Sequence, residues 1–175
     1  SLPEVDISLE GYSLAGAVYE IHRASDDALA ATVTTDADGR ATATLDASTA
    51  YYAVETVAPE GFTLNLERIS FNTGSGTTVN LPDAPKVTVT FSKVSAEASV
   101  SDGNAEYAYA GATYEIYRAS DDTLVATLTT NDAGQASCKL DASTAYYAVE
   151  THAPQGFVKN PERIAFTTGA NVSTV

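Results

Sequence analysis

Leu45-Asp46-Ala47-Ser48-Thr49-Ala50-Tyr51-Tyr52-Ala53-Val54-Glu55-Thr56 occurs twice in this chain, returning unchanged at Leu140–Thr151. A shift of 95 positions aligns Ala15–Gly74 with Ala110–Gly169 without a gap, with 41 identities in 60 positions. Such a duplication implies two domains of one fold. Between the copies lies Leu81-Pro82-Asp83-Ala84-Pro85-Lys86, whose prolines oppose regular pairing and stiffen a joint. The expected organisation is a first domain over 1–82, a linker over 83–86 and a second domain over 87–175.

Within each copy, short runs rich in Val, Ile, Thr and Tyr, such as Ala31-Thr32-Val33-Thr34-Thr35 and Val125-Ala126-Thr127-Leu128-Thr129, are separated by Ser-Asp-Asp, Asp-Gly and Ala-Gly turns. That pattern predicts strands, and helical periodicity is nowhere sustained. About seven strands per copy, with turns every 8 to 12 residues or so, point to an all-β chain of two tandem Greek-key β-sandwiches. Parallel pairing is not expected, because it needs crossover connections and the chain lacks helices to make them.

Composition narrows the function. With 9 Lys+Arg against 23 Asp+Glu, the formal charge of −14 leaves little cationic surface for phosphate, so nucleic acid is excluded as a partner. No apolar run approaches the roughly 20 residues of a spanning helix, and Ser1-Leu2-Pro3-Glu4 does not open a signal peptide. A soluble piece of a longer protein is expected, without membrane insertion or a sorting motif of its own. One cysteine, Cys138, and two histidines, His22 and His152, cannot build a disulfide or a zinc cluster, and no cofactor or metal is expected. Domains of this size commonly need a staple, which turns attention to other side-chain chemistry.

In Lys86-Val87-Thr88-Val89-Thr90-Phe91-Ser92-Lys93, period two places Val87, Val89, Phe91 and Lys93 on one face. The amine then points toward the core, where it loses its proton or finds a carboxylate. Glu150 is the expected partner, because Tyr146, Ala148 and Glu150 share an inward parity.

The combination of Phe91-Ser92-Lys93, Ala110-Gly111-Ala112-Thr113-Tyr114 and Tyr146-x-x-x-Glu150-Thr151-x-Ala153-Pro154-x-Gly156-Phe157 resembles the collagen-adhesin B-type (SpaA-like) domains of Gram-positive surface adhesins and pilins. The resemblance covers nearly the whole of both repeats. It implies prealbumin-like, reverse immunoglobulin-like sandwiches that serve as stalk modules, many holding a spontaneous Lys–Asn isopeptide bond promoted by a buried acid. By resemblance Lys93 is the nucleophile and Glu150 the proton shuttle, with Asn171 the nearby candidate acceptor. The chemistry is a single turnover, so no enzyme activity beyond it is expected. In the first repeat Leu9 stands where the lysine should be, and residues 1–85 contain no lysine. Glu55 and an apparent acceptor, Asn80, remain as a degenerate site. Either this copy has lost its crosslink or its true first strand lies elsewhere.

Other motifs have ordinary readings. Asp36-Ala37-Asp38-Gly39 suggests a calcium loop, but Asn131-Asp132-Ala133-Gly134 lacks the alternate carboxylate, and a hairpin turn explains both. Cys138 shares parity with Ala136 and Leu140, as a core residue does. The pairs Tyr51-Tyr52 and Tyr146-Tyr147 could offer a sugar platform, but such pairs more often place one ring in the core and the other on the sheet, and the absence of tryptophan speaks against a lectin. Lys93 to Gly111 spans 18 positions where Leu9 to Gly16 spans 7. This insertion, 94–109, carries a hairpin signal around Ser101-Asp102-Gly103-Asn104, with Tyr107 and Tyr109 as candidate ligand-binding residues.

The function expected is therefore a structural spacer of an extracellular, cell-wall-anchored adhesin or pilin, monomeric and partnered by neighbouring modules of the same protein. Residues 1–85 carry a charge of −10 and residues 86–175 a charge of −4, so the modules repel modestly. The alternatives are an adhesin module that binds a host extracellular protein through 94–109, and a carbohydrate-binding module using Tyr52 and Tyr147.

Overall fold

The computed structural model describes residues 11–169 and the backbone of residues 173–174. It divides into two units, residues 1–85 and 86–175. The first contains β1 (Val18–Arg23), β2 (Leu29–Thr34), β3 (Ala50–Val57), β4 (Phe62–Thr63), β5 (Ile69–Asn72) and β6 (Ala84–Pro85). The larger sheet has the order β2-β1-β3-β5, all antiparallel, and β4 pairs with β6 in a separate ribbon. The face bearing Tyr19, Ile21, Ala53 and Phe71 borders a cavity of about 980 Å³.

The second unit contains β7 (Val87–Ser92), the short helix α1 (Ala98–Ser101), β8 (Thr113–Arg118), β9 (Leu124–Thr129), β10 (Gln135–Leu140), β11 (Ala145–His152), β12 (Arg163–Thr167) and β13 (Ser173–Thr174). Its sheets have the orders β12-β11-β8-β9 and β10-β7-β13. Alternation works here as the strand pattern predicts: Val87, Val89 and Phe91 are buried while Thr88 and Thr90 between them are not. They pack with Ile116, Leu140 and Tyr146 in one core. Seven strands in two layers make the second unit a sandwich, and six strands lie among the described residues of the first.

Three expectations differ from what is found. β13 runs parallel to β7, with Ser173 opposite Val89 and Thr174 opposite Thr90. No helix makes that connection; the intervening strands of the sandwich carry the chain back. The stretch 94–109 contains α1 and turns, with no strand among its residues, because it docks on the loop around Phe157 instead of extending β7 and β8. Finally, Ala84–Pro85, expected as part of a linker, pairs with Phe62–Thr63 in the first unit. Proline is tolerated on an edge strand, where the missing N–H breaks no ladder.

The turns explain the repeated Ser-Asp-Asp motifs. Asp27 and Asp122 adopt φ of 55° and 54°, a left-handed conformation that aspartate tolerates. Asp26 and Asp121 accept the N–H groups of Ala28 and Thr123. The supposed calcium loop is a turn of the same kind: Asp36 Oδ1 accepts the N–H groups of Asp38 and Arg40, as Asn131 Oδ1 does those of Ala133 and Gln135. The described residues contain no cluster of three metal-ligating side chains and no helix long and apolar enough to cross a membrane.

Candidate functional site

Register builds the site. Tyr114 on β8 lies directly opposite Glu150 on β11, and Tyr19 on β1 lies opposite Glu55 on β3. A register shift adjoins each pair, between Glu150 and His152 and between Val18 and Tyr19; such bulges re-aim neighbouring side chains. Both glutamates are buried, 1% and 2% exposed, which strand parity alone predicts.

In the second unit Lys93, immediately after β7, sends its Nζ to within 2.8 Å of Glu150 Oε1. The Tyr114 hydroxyl donates to the same oxygen at 3.1 Å, and the Asn160 N–H donates to Oε2 at 2.6 Å. Burial pushes the Glu150 carboxyl upward, but the Lys93 hydrogen bond, the Asn160 N–H, the Lys93 charge and the Tyr114 hydroxyl together hold it below the ordinary glutamate value. The ground state is therefore an ion pair. Burial first, then the Glu150 charge, pushes the Tyr114 hydroxyl upward, so that it remains a donor. The Lys93 side chain is 11% exposed and lies 5.5 Å from the centre of the Phe157 ring, a cation–π distance.

Tyr107 and Tyr109, the candidate ligand contacts, are half-buried and face inward. Their rings lie 5.3 and 5.4 Å from Phe157, and the Tyr109 hydroxyl donates to Asp102 at 2.6 Å. The packing of Tyr107 is not a property of the insertion, because Tyr12 meets Phe62 edge-on in the same way at 5.9 Å. The aromatic group thus stands over the amine of Lys93 through Phe157.

The first unit keeps the same frame with different chemistry. The Asn65 N–H donates to Glu55 Oε2 at 2.7 Å, as Asn160 does to Glu150. The Tyr19 hydroxyl, however, donates to Asp83 Oδ2 at 3.4 Å. Glu55 Oε1 and Asp83 Oδ1 are both buried and have no hydrogen-bond donor. Burial first, then the charge and hydrogen bond of Glu55, pushes the Asp83 carboxyl up to about 6, against the opposing Tyr19 hydroxyl. Asn80, the apparent acceptor, is exposed; the acid that reaches Glu55 is Asp83, three residues later. Leu9 and Asn171 lie outside the described residues.

Asp83 escaped the sequence reading because it has no counterpart in the aligned repeat. Asn65 and Asn160 were legible, as an identity inside an otherwise divergent stretch, Thr63–Leu66 against Val158–Pro161. The remaining candidates are structural. Cys138 is half-buried and its thiol is pushed up to about 11 by burial, which makes it a poor nucleophile. Tyr52 and Tyr147 are 7% and 8% exposed. Each ring carries an arginine at 4.4 Å, Arg68 and Arg163, and a stacked ring, His22 and Tyr117, so neither presents an open platform to a sugar.

The chain matches the SpaA prealbumin-like fold domain twice, over residues 5–85 and 87–175. No curated protein matches the sequence. Among solved structures it is similar to the shaft pilin SpaA of Lactobacillus rhamnosus GG in its D295N form, with 18% identity, a TM-score of 0.50, and coverage of 99% of this chain and 92% of that one. A streptococcal ancillary pilin shares 17% identity at a TM-score of 0.50, covering 92% of this chain and 56% of that one. The Bacillus anthracis TIE protein shares 22% identity at a TM-score of 0.42 over 97% of this chain, which spans only 31% of its length. At these identities the two pilin structures, with TM-scores of 0.50, speak for the fold alone, whereas the family match covers nearly every residue. The chain therefore belongs to the SpaA prealbumin-like domain family, as two tandem copies.

Proposed function

We propose that the chain is a load-bearing spacer of a bacterial surface pilus or adhesin, locked in its second unit through Lys93 and Glu150. Membership of the domain family and the pilin character of the similar structures support the spacer. The observation that carries the lock is an ammonium held 2.8 Å from a fully buried carboxylate.

The pair is also arranged for isopeptide formation. Transfer of one proton from Nζ to Glu150, out of the ion-paired ground state, gives the neutral amine that can attack and a carboxylic acid, and burial lowers the cost of that transfer. Nζ attacks the side-chain carbonyl carbon of an asparagine, forming the C–N bond. Glu150 gives its proton to the departing amide nitrogen, which leaves as ammonia as the C–N bond to it breaks, and takes the second proton from the former amine nitrogen, which becomes the amide N–H. β13 runs parallel beside β7, with Ser173 opposite Val89 and Thr174 opposite Thr90. A crosslink there would tie the first strand of the unit to its last, and force applied at those strands would then act along a covalent bond.

Intact-mass spectrometry of the parent protein tests this. A mass short by one ammonia, restored by Lys93→Ala, is expected. A mass equal to the sequence value would reject the covalent lock and leave an ion pair. Neither alternative function gains a side chain to carry it, since Tyr107 and Tyr109 pack on Phe157 and the Tyr52 and Tyr147 rings are already occupied.

A further inference from the structure

We propose that Glu55 and Asp83 share a single proton, which substitutes for an ammonium at the degenerate site and latches the Asp83–Pro85 segment to the first unit in acid, releasing it as pH rises. The geometry leaves two buried oxygens, Glu55 Oε1 and Asp83 Oδ1, with no donor, and Tyr19 joins their side chains, since it lies opposite Glu55 across β1 and β3 while its hydroxyl donates to Asp83. Two carboxylates cannot satisfy one another, since both only accept; a carboxylic acid and a carboxylate can. Like charges at such a separation cannot both persist out of water, and the proton resolves the conflict.

Among the described residues, Glu55 and the Tyr19 hydroxyl are the groups that bear on the Asp83 carboxyl. From β1 the pair faces the Tyr19 hydroxyl, from β3 Glu55 itself, and from the loop after β4 the Asn65 N–H. Among the described cations of this unit, Arg23 pairs with Asp26 and Asp46, and Arg68 pairs with Asp27. Arg40 lines the adjoining cavity as an exposed side chain. Asn65 makes the site a latch. Its N–H holds Glu55 while its Nδ2 donates to Pro82 O at 2.8 Å, and two residues on, Ala84–Pro85 pairs with β4.

The sign follows from the protonated form being the one that fits. Asp83 titrates at about 6 in the folded chain against an ordinary 3.8, so the latch is complete below about pH 4 and is lost as pH rises through about 6. The full difference corresponds to a weakening of up to about 100-fold, less in proportion to the solvent that reaches Asp83; about tenfold is expected.

The test is a pH titration of the intact chain by amide NMR. The Asn65 backbone amide, bonded to Glu55, is expected to move with a midpoint near 6, whereas the Asn160 amide, bonded to the lysine-paired Glu150, stays still between about pH 5 and 7. Exchange of the Asn65 side-chain amide, corrected for its intrinsic rate, is expected to quicken about tenfold across the same midpoint. Asp83→Asn, which keeps the shape and supplies a permanent donor, is expected to abolish both changes. An Asn65 signal that is flat over that range, or one whose transition survives in Asp83→Asn, overturns the proposal. Should that variant fail to fold, the ¹³C titration of the Asp83 carboxyl in the unaltered chain decides: a midpoint at the ordinary value of about 4 overturns it. A midpoint near 6 that added methylammonium displaces would show a cation site in place of a shared proton, and overturns it equally.

Discussion

In the uncrosslinked protein, replacing Lys93 by methionine keeps the length and apolar stem of the side chain while deleting its charge, and so isolates what the ammonium does for Glu150. At 2.8 Å the pair's Coulomb attraction is about 6 kcal/mol at an effective dielectric constant of about 20, offset by the desolvation of both ions. The measurable quantity is the cost of breaking the pair. Glu150 stays fully buried, its Tyr114 and Asn160 hydrogen bonds remain, and its charge has no counter-ion. Removal of one partner from a buried pair costs about 3 to 5 kcal/mol, which for a unit of this size corresponds to a fall in melting temperature on the order of 12 to 40 °C. Differential scanning calorimetry of the intact chain at pH 7 reads this directly, and chemical denaturation gives an independent free energy. In the uncrosslinked protein, Lys93→Met with Glu150→Gln is expected to recover most of the loss, because the second change removes the stranded charge. A single-variant effect under about 1 kcal/mol, the range of exposed pairs, would refute the reasoning, as would additivity of the two substitutions, since residues in direct contact must couple.

The same pair sets the acid behaviour of the second unit. Glu150 is held below its ordinary value of 4.5, so its stabilisation is fully present above that value and is lost as pH falls through the lower folded one. Calorimetry from about pH 6 down to pH 2 is expected to show this decline, and Lys93→Met to reverse its sign, because burial is then the dominant influence on the carboxyl. Gly156→Ala is expected to destabilise the second unit by at least about 1 kcal/mol. Its φ is +84° and an added Cβ would lie 2.5 Å from Glu106 O and 2.7 Å from the Tyr107 ring, so equilibrium denaturation that places this variant within experimental error of the parent would remove the insertion's tight docking from consideration.

The two units are expected to answer acid in opposite directions. Each presents a buried glutamate to a strand neighbour, held by the N–H of an equivalent asparagine. What completes the site differs: an ammonium in one, and in our reading a second carboxyl with a proton in the other. An acidified surface environment would then strengthen the first unit while it weakens the lysine pair of the second.

Much of this was local enough to read from the chain. A twelve-residue identity announces a duplication, and strand parity alone sends Lys93 and Glu150 to inner faces, because successive side chains on a strand must point to opposite sides. The insertion was recognisable by its length, but its form was not: the alternating Ala98-Ser99-Val100 suggested a strand, whereas contact with Phe157 draws the region into turns and one helical turn. The parallel pairing of β13 with β7 was likewise out of reach, since it joins the two ends of a unit.

Residue order by itself therefore determined the repeat, the all-strand architecture and the inward lysine and glutamates, all of which follow from spacings of two residues or from direct comparison of the copies. Only the tertiary structure decided that Asp83, and not Asn80, meets Glu55, and that Tyr107 and Tyr109 face Phe157 instead of solvent. Those outcomes depend on which distant segments come to lie against one another, and local alternation carries no information about that.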